Sequence, residues 1–452
     1  MLKKRNFLPE SFVINEWQTI EPFYKNLETR SLKNTAELRA WFRDRSELES
    51  ALSEELAWRY IRMTCNTADE ALQESFNNFV SHIQPEATKY THLLNQKCLE
   101  SPFLAELEKQ EGFDITIRSL RKQAEIFREE NIPLQTQLQM KEREYGAIAG
   151  AMTIWWQEQE LTLQQAANIL EDADRSQREK VYLAIQNRRL QDKDKLDDLL
   201  TELIQLRHQI AQNAGFNNYR DYAFAALGRF DYTPQDCFDF HEAVKKAVMP
   251  LVENLASERK KQMNLDTLRP WDMQADPTGL PALKVFENSE ELIKNTINCL
   301  DELDGFLGDC LRIMKKMQHL DLTSRKNKAP GGYNYPLAET GYPFIFMNAT
   351  SNLRDLTTLL HEAGHAVHSV LCKDLEINSF KEPPAEVAEL ASMSMELITM
   401  PFWKHFFPNE NDLKRAKKEH LEDLLAVLPW IACIDKFQHW LYENPKHNLE
   451  ER

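Results

Sequence analysis

The apolar residues of this chain recur mostly at the three- and four-residue spacing of helices buried on one face. In "WFRDRSELESALSEELAWRYIRM" the large side chains return once per turn, with charged residues between them. No glycine occurs before Gly112, and the preceding stretch is rich in Leu, Ala, Glu, Lys and Gln, all good helix formers. Residues 1–110 are therefore expected to form helical hairpins. A second helical unit, 111–190, continues through "AIAGAMTIWWQEQELTLQQAANIL", where Trp155 and Trp156 are expected to pack one helix against its neighbours. The remainder, 191–452, begins helical and is broken at "GFNN", at "YTPQD" and in the loop-like segment 268–281.

The rhythm changes at 328–348, "KAPGGYNYPLAETGYPFIFMN". Glycine and proline punctuate short aromatic and β-branched runs, which predicts two strands joined by a turn near 339–341. The next stretch, "ATSNLRDLTTLLHEAGHAVHSVLCKD", predicts a helix over about 352–372, capped by Thr350 or Ser351. Its apolar stripe is Leu356, Leu359, Leu360, Ala363, Val367, Val370 and Leu371. Further on, "PPAEVAELASMSMELITMP" predicts another helix, opened by Pro383 and Pro384 and closed by Pro401.

Composition narrows the function classes. A chain of 452 residues has room for two or three units, or for one large elongated enzyme. The formal net charge of −16 argues against nucleic-acid partners, which require a cationic surface, and against an anionic membrane surface. No run approaches the roughly 18 apolar residues of a membrane span, and "MLKKRNFLPESF" lacks the apolar core of a secretory signal. The seven cysteines are odd in number and widely spaced, with no CxxC pair. Structural disulfides are not expected, and a reducing, cytoplasmic setting is.

The chemistry is concentrated in "HEAGH". His361 and His365 are four apart, so their imidazoles project from one helix face and can share a zinc ion. Glu362 is rotated off that arc and is suited to act as general base toward the attacking water. His368 continues the same face but lies too far along the axis to join the pair, and is read as structural or supporting. A third ligand must then come from elsewhere. The downstream helix offers Glu386 and Glu389, which periodicity alone does not separate. Glu396, seven past Glu389, is expected to hold a histidine's second nitrogen.

Taken together, "KAPGGYNYPLAETGYPFIFMN", "LLHEAGHAVHS" and "VAELASMSMEL" resemble the M3 family of zinc peptidases, of the oligoendopeptidase F type. The likeness extends upstream through "LTLQQAANILEDADRSQREKVYLAIQ" and downstream through "IDKFQHWLYENPKHNLEER". The resemblance implies a mainly α fold: an elongated helical gluzincin with a small β-sheet beside the HExxH helix and a deep substrate channel. It selects Glu389 as the third zinc ligand beside His361 and His365, with Glu362 as the catalytic base and one Zn²⁺ per chain. The implied activity is endopeptidase cleavage of short unstructured peptides in the cytoplasm. The strand "PFIFMN" is then either a core strand or an edge that pairs with substrate backbone. Family members usually continue past the equivalent of Arg452 into a tyrosine-rich helical segment that supplies donors to the tetrahedral intermediate, so a C-terminally truncated peptidase is expected here. Neither Tyr442, His439 nor His447 takes over that role. The second reading is an inactive homologue that binds zinc or peptide without turnover.

Overall fold

The computed structural model describes residues 4–452. Helices dominate it, as the apolar spacing implies. The N-terminal layer is organised around the long helix Thr35–Cys65, against which Trp17–Thr29, Gln84–Leu99 and Phe113–Ile126 pack. Asn34 caps the long helix by accepting a hydrogen bond from the Glu37 backbone N–H. Leu38, Trp41, Phe42 and Leu48 on its inner face are buried with Ile20, Leu27, Leu94 and Phe113 in one core. Each such side chain contributes about 1.5–3 kcal/mol by leaving water. Ile377, far downstream, is seated in the same core, which clamps the HExxH region to this layer.

The helix expected through "TIWWQEQELT" is not there. This stretch forms an antiparallel hairpin of β1 (Thr153–Trp156) and β2 (Gln159–Thr162), with Trp156 opposite Gln159. Gln157 and Glu158 both take positive φ, +46° and +67°, the handedness a two-residue hairpin turn needs. The run of β-branched and aromatic residues before them then favours strand over helix. Strand alternation splits the two tryptophans. Trp156 packs with Ile154, Val181 and Ile185, whereas Trp155 is 74% exposed and is not a packing residue.

A second sheet lies beside the HExxH helix, as expected, but it has three strands. β3 (Leu320–Thr323), β4 (Tyr333–Tyr335) and β5 (Phe344–Ala349) stand in the order β3-β5-β4. β5 runs parallel to β3 and antiparallel to β4. It is therefore the central strand, with Phe344, Ile345, Phe346 and Met347 buried, and not an edge open to another backbone. The turn at 339–341 is present. The Glu54 carboxylate holds it by accepting from the N–H groups of Glu339 (2.8 Å) and Thr340 (2.7 Å).

Lys328 locks this sheet together. Its side chain is fully buried, 4.4 Å from the Phe346 ring centroid. The ammonium donates to Asp321 Oδ1 (2.9 Å), to the carbonyls of Asp321 (3.0 Å) and Thr323 (3.1 Å), and to the Met347 carbonyl. Arg325 adds two 2.7 Å hydrogen bonds to the Asp321 carboxylate. Burial pushes that carboxyl up, but the Arg325 hydrogen bond and the Lys328 charge outweigh it and hold it far below the usual carboxylate range. Asp321→Asn leaves a buried ammonium without its counter-charge, and should cost about 3 kcal/mol at neutral pH in denaturant unfolding. Because the folded pKa is the depressed one, the stabilisation is complete above about pH 4 and fades as pH falls below it. Equal stability of mutant and wild type at pH 7 would contradict this account of the sheet.

Candidate metal and catalytic site

The motif helix spans Leu353–Cys372. Its cap is Asn352 rather than Thr350 or Ser351. Asn352 Oδ1 accepts from the Asp355 N–H (3.0 Å), and the Asp355 carboxylate accepts from the N–H of Asn352 (3.1 Å), Thr350 and Ser351 (both 2.6 Å). That reciprocal box satisfies more orphan donors than a lone hydroxyl could. Leu356, Leu359, Leu360, Ala363, Val367 and Val370 are buried as expected. Leu371, one position past Val370, rotates off the inner face and is 65% exposed.

The second helix runs Ala385–Ile398, with Pro384 at its start. It crosses the motif helix at Gly364. A Cβ built on Gly364 would lie 2.7 Å from Ser392 Cα and 2.9 Å from the Ala391 carbonyl oxygen. Only a residue without a side chain permits that approach. Ser392 is fully buried at the contact and donates to the Glu389 carbonyl (2.9 Å) and to Glu389 Oε2 (3.1 Å).

This crossing sets Glu389 against both histidines. His361 Nε2 is 3.2 Å from Glu389 Oε2, and His365 Nε2 is 3.7 Å from Glu389 Oε1. The two rings stand 4.9 Å apart, and the three donor atoms all lie within 4.8 Å of one another. A tetrahedral zinc ion with bonds of about 2.0–2.1 Å separates neighbouring ligands by about 3.4 Å, so this set fits. Each ring has a further partner. His361 Nδ1 is 2.7 Å from Glu396 Oε1, and His365 hydrogen-bonds to the backbone of Ala388. The Glu396 contact at Nδ1 leaves His361 Nε2 facing Glu389.

Glu362 is not one of the grouped donors and is 6% exposed. Its Oε2 is buried with no hydrogen-bond partner, and its backbone carbonyl accepts from Asn334 Nδ2 (3.3 Å) at β4. A buried carboxylate oxygen left unpaired is uncommon and points to a ligand or a reacting group. Burial, opposed by the His361 ring and reinforced by Glu389, pushes the Glu362 carboxyl up to about 7. Burial also lowers His365. At His361 burial acts in the same direction, but Glu396 and the surrounding carboxylates outweigh it and raise the ring.

Other residues fall outside the cluster. Glu386 is exposed and hydrogen-bonded to the Tyr232 hydroxyl, so of the two glutamates only Glu389 meets the histidines. His368 is half-buried and not among the grouped donors. His447 is half-buried, with Nδ1 2.7 Å from the Asn444 carbonyl, and the Tyr442 hydroxyl accepts from Arg207 (2.8 Å). Two contributors were not anticipated. Ser392 orients Glu389, as described. His420, on the C-terminal helix Glu410–Glu443, is buried with Nε2 3.5 Å from Glu396 Oε2, on the far side from His361. Neither has a local sequence signature; Gly364 alone did, as the small residue inside the motif.

A mainly helical chain that brings two histidines of one helix to a glutamate of the next, with a carboxylate buried beside them, has the architecture of an HExxH zincin completed by glutamate. The sequence profile of peptidase family M3 matches residues 168–295 and 307–452, and that of the peptidase M3 N-terminal domain matches 7–127. The chain belongs to peptidase family M3. It is 24% identical over 287 residues to oligopeptidase PepF of Bacillus subtilis, covering 63% of this chain and 42% of that protein. It is 23% identical over 239 residues to an oligoendopeptidase F homolog of Lactococcus lactis subsp. lactis, covering 53% and 38%. The matched region thus spans less than half the length of these relatives. Among solved structures, Pz peptidase A superposes with a TM-score of 0.91 at 26% identity, over 97% of this chain and 78% of that one. Membership of a metallopeptidase family implies a divalent metal ion, which the trio described above suits.

Gly364→Ala tests the geometry. The added methyl meets backbone on the facing helix, so the helices must separate, at a cost of about 1–3 kcal/mol. Displacing Glu389 should weaken divalent-metal affinity by about 10–100-fold in a chelator competition. Unchanged affinity and stability would show that the close crossing is not what assembles the trio.

Proposed function

We propose that this chain is a zinc-dependent endopeptidase of short, unstructured peptides. The observation that carries the reading is the convergence of His361, His365 and Glu389 beside buried Glu362, whose Oε2 has no hydrogen-bond partner. Two imidazoles and one carboxylate with a position left open are the donor set of a catalytic zinc site, which favours zinc over harder ions. When bound, the ion supplies Lewis-acid polarisation of the scissile carbonyl and acidifies water.

The chain's own residues supply the rest. Glu362 removes a proton from the attacking water and passes it to the leaving amine. Its burial supports both roles, because a carboxyl raised toward neutrality accepts and returns a proton with little penalty. Glu396 and the Ala388 backbone keep the two rings oriented, so that little reorganisation is left for the reaction itself. β4 is the sheet edge next to Glu362, and Asn334 links the two. It offers an extended peptide a strand to pair with, the role that central β5 cannot play. A cavity of about 420 Å³ is lined by Tyr60 and Met63 of the long N-terminal helix, by Arg143 and by Tyr335 of β4, a size that suits a peptide rather than a folded protein. All seven cysteines are free, which accords with a cytoplasmic setting. Among the described residues no helix is long and apolar enough to cross a membrane.

The test is hydrolysis of an end-blocked, internally quenched peptide of about ten residues, short enough for an enclosed pocket. The zinc-loaded chain should cleave it, and Glu362→Gln should lower the rate by about 10²–10⁴-fold while retaining zinc. A Gln variant as active as wild type at equal zinc content would remove Glu362 from the mechanism. A metal-loaded chain that binds the peptide and leaves it intact would make the protein a binder rather than an enzyme.

A further inference from the structure

The C-terminal helix carries a second group of metal-type donors. Asp435 and His439 are four apart on Glu410–Glu443 and share a face. Asp435 is fifteen residues beyond His420, hence about 22 Å further along the helix from the Glu396 contact. The helix Pro234–Ala247 packs against this segment and presents Cys237 and His241, again four apart. Cys237 Sγ, an Asp435 carboxylate oxygen and a His439 ring nitrogen all lie within 4.8 Å of one another. His241 Nε2 is 2.7 Å from Asp435 Oδ2, and His439 Nε2 is 3.5 Å from the same oxygen.

Two features go beyond a buried hydrogen-bond network. His241 is 6% exposed and His439 is 4% exposed, and the Nδ1 of each is buried without a partner. Both Nε2 atoms converge on the one Asp435 oxygen, so the carboxylate gathers two imidazoles and a thiol around it. A thiol has also been placed within ligand reach of a carboxylate and an imidazole, where an apolar side chain would pack as well. The Phe238 ring lies 4.7 Å from the His439 ring and walls the site on one side. Asp435 is one-third exposed, so an ion has a way in.

We propose that Cys237, Asp435 and His439 form a second divalent transition-metal site, with His241 orienting the Asp435 carboxylate, and that an ion there ties the Pro234–Ala247 helix to the C-terminal helix. A thiolate, a carboxylate and an imidazole together suit zinc-like ions, and a carboxylate held by a histidine is the outer-shell partnership such sites use. On binding, the Cys237 S–H bond breaks, the sulfur lone pair forms the metal–sulfur bond, and the proton leaves to solvent. Burial and the neighbouring Asp435 push the free thiol up, so that proton is present to be released. Burial lowers His439, the direction that favours the neutral ring a ligand requires.

The thiolate gives this site a signature that the His361–His365–Glu389 trio lacks. The metal-free chain is titrated with Co²⁺ while the near-ultraviolet thiolate-to-cobalt absorption band is followed. The expected result is two ions per chain, one for each donor group, with the band saturating as one of them binds. Cys237→Ser should abolish the band and leave one ion. Cys433→Ser, on the exposed neighbouring cysteine, should leave both the band and the stoichiometry intact. His361→Ala combined with His365→Ala should remove one ion and spare the band. Absence of the band from the wild-type chain, or its survival in Cys237→Ser, overturns the second site. A single ion without the band leaves the HExxH reading standing, and a single ion with it leaves only the new site.

Discussion

The near-contact of two helices at Gly364 is the constraint on which the rest of the site depends. A wider separation would carry Glu389, now 3.2 and 3.7 Å from the two imidazoles, away from them, and two residues prevent it. Gly364 contributes no side chain, and Ser392 opposite it is fully buried. The same serine hydroxyl then reaches Glu389 Oε2. Packing and ligand orientation are therefore one feature, and a change that loosens the crossing loosens the metal trio with it.

The sheet and the N-terminal layer act through that crossing rather than beside it. β5 packs on the motif helix, sharing its core through Ile345 and Met347 with Leu356, Leu360 and Ala363. Buried Lys328 with Asp321 ties β3 to β5, and β5 pairs in turn with β4. β4 is thereby held where Asn334 meets the Glu362 carbonyl, and Gly332 leaves room near the Glu362 carboxylate: a Cβ there would lie 3.7 Å from Oε1. Glu362 is buried because these elements close over it, and its raised carboxyl follows from that burial. Glu54 and the seat of Ile377 in the N-terminal core carry the restraint back to the long helix Thr35–Cys65.

Much of this was legible in the sequence because it is local. The motif helix begins one residue from its expected start and ends at Cys372, since apolar periodicity and a capping residue define it. The histidine pair and the offset of Glu362 follow from helix geometry alone. What was lost depended on partners distant in the chain. Glu386 and Glu389 share a face, and only the crossing at Gly364, with Tyr232 engaging Glu386, distinguishes them structurally. β5 reads the same whether central or edge until β3, a four-residue strand with no turn signal of its own, is found beside it. The hairpin at 153–162 was read as helix because its turn is Gln157–Glu158, not the Asn-Gly or Asp-Gly that marks such turns. His420 carries no sequence signal at all, being brought to Glu396 by the packing of the last helix.

The most direct measurement is a crystal structure of the zinc-loaded chain with anomalous data at the zinc edge. The account predicts a peak about 2.0–2.2 Å from His361 Nε2, His365 Nε2 and the Glu389 carboxylate, with Gly364 still against Ser392. A zinc ion held by Glu386 or His368, or by the two histidines without Glu389, would contradict it.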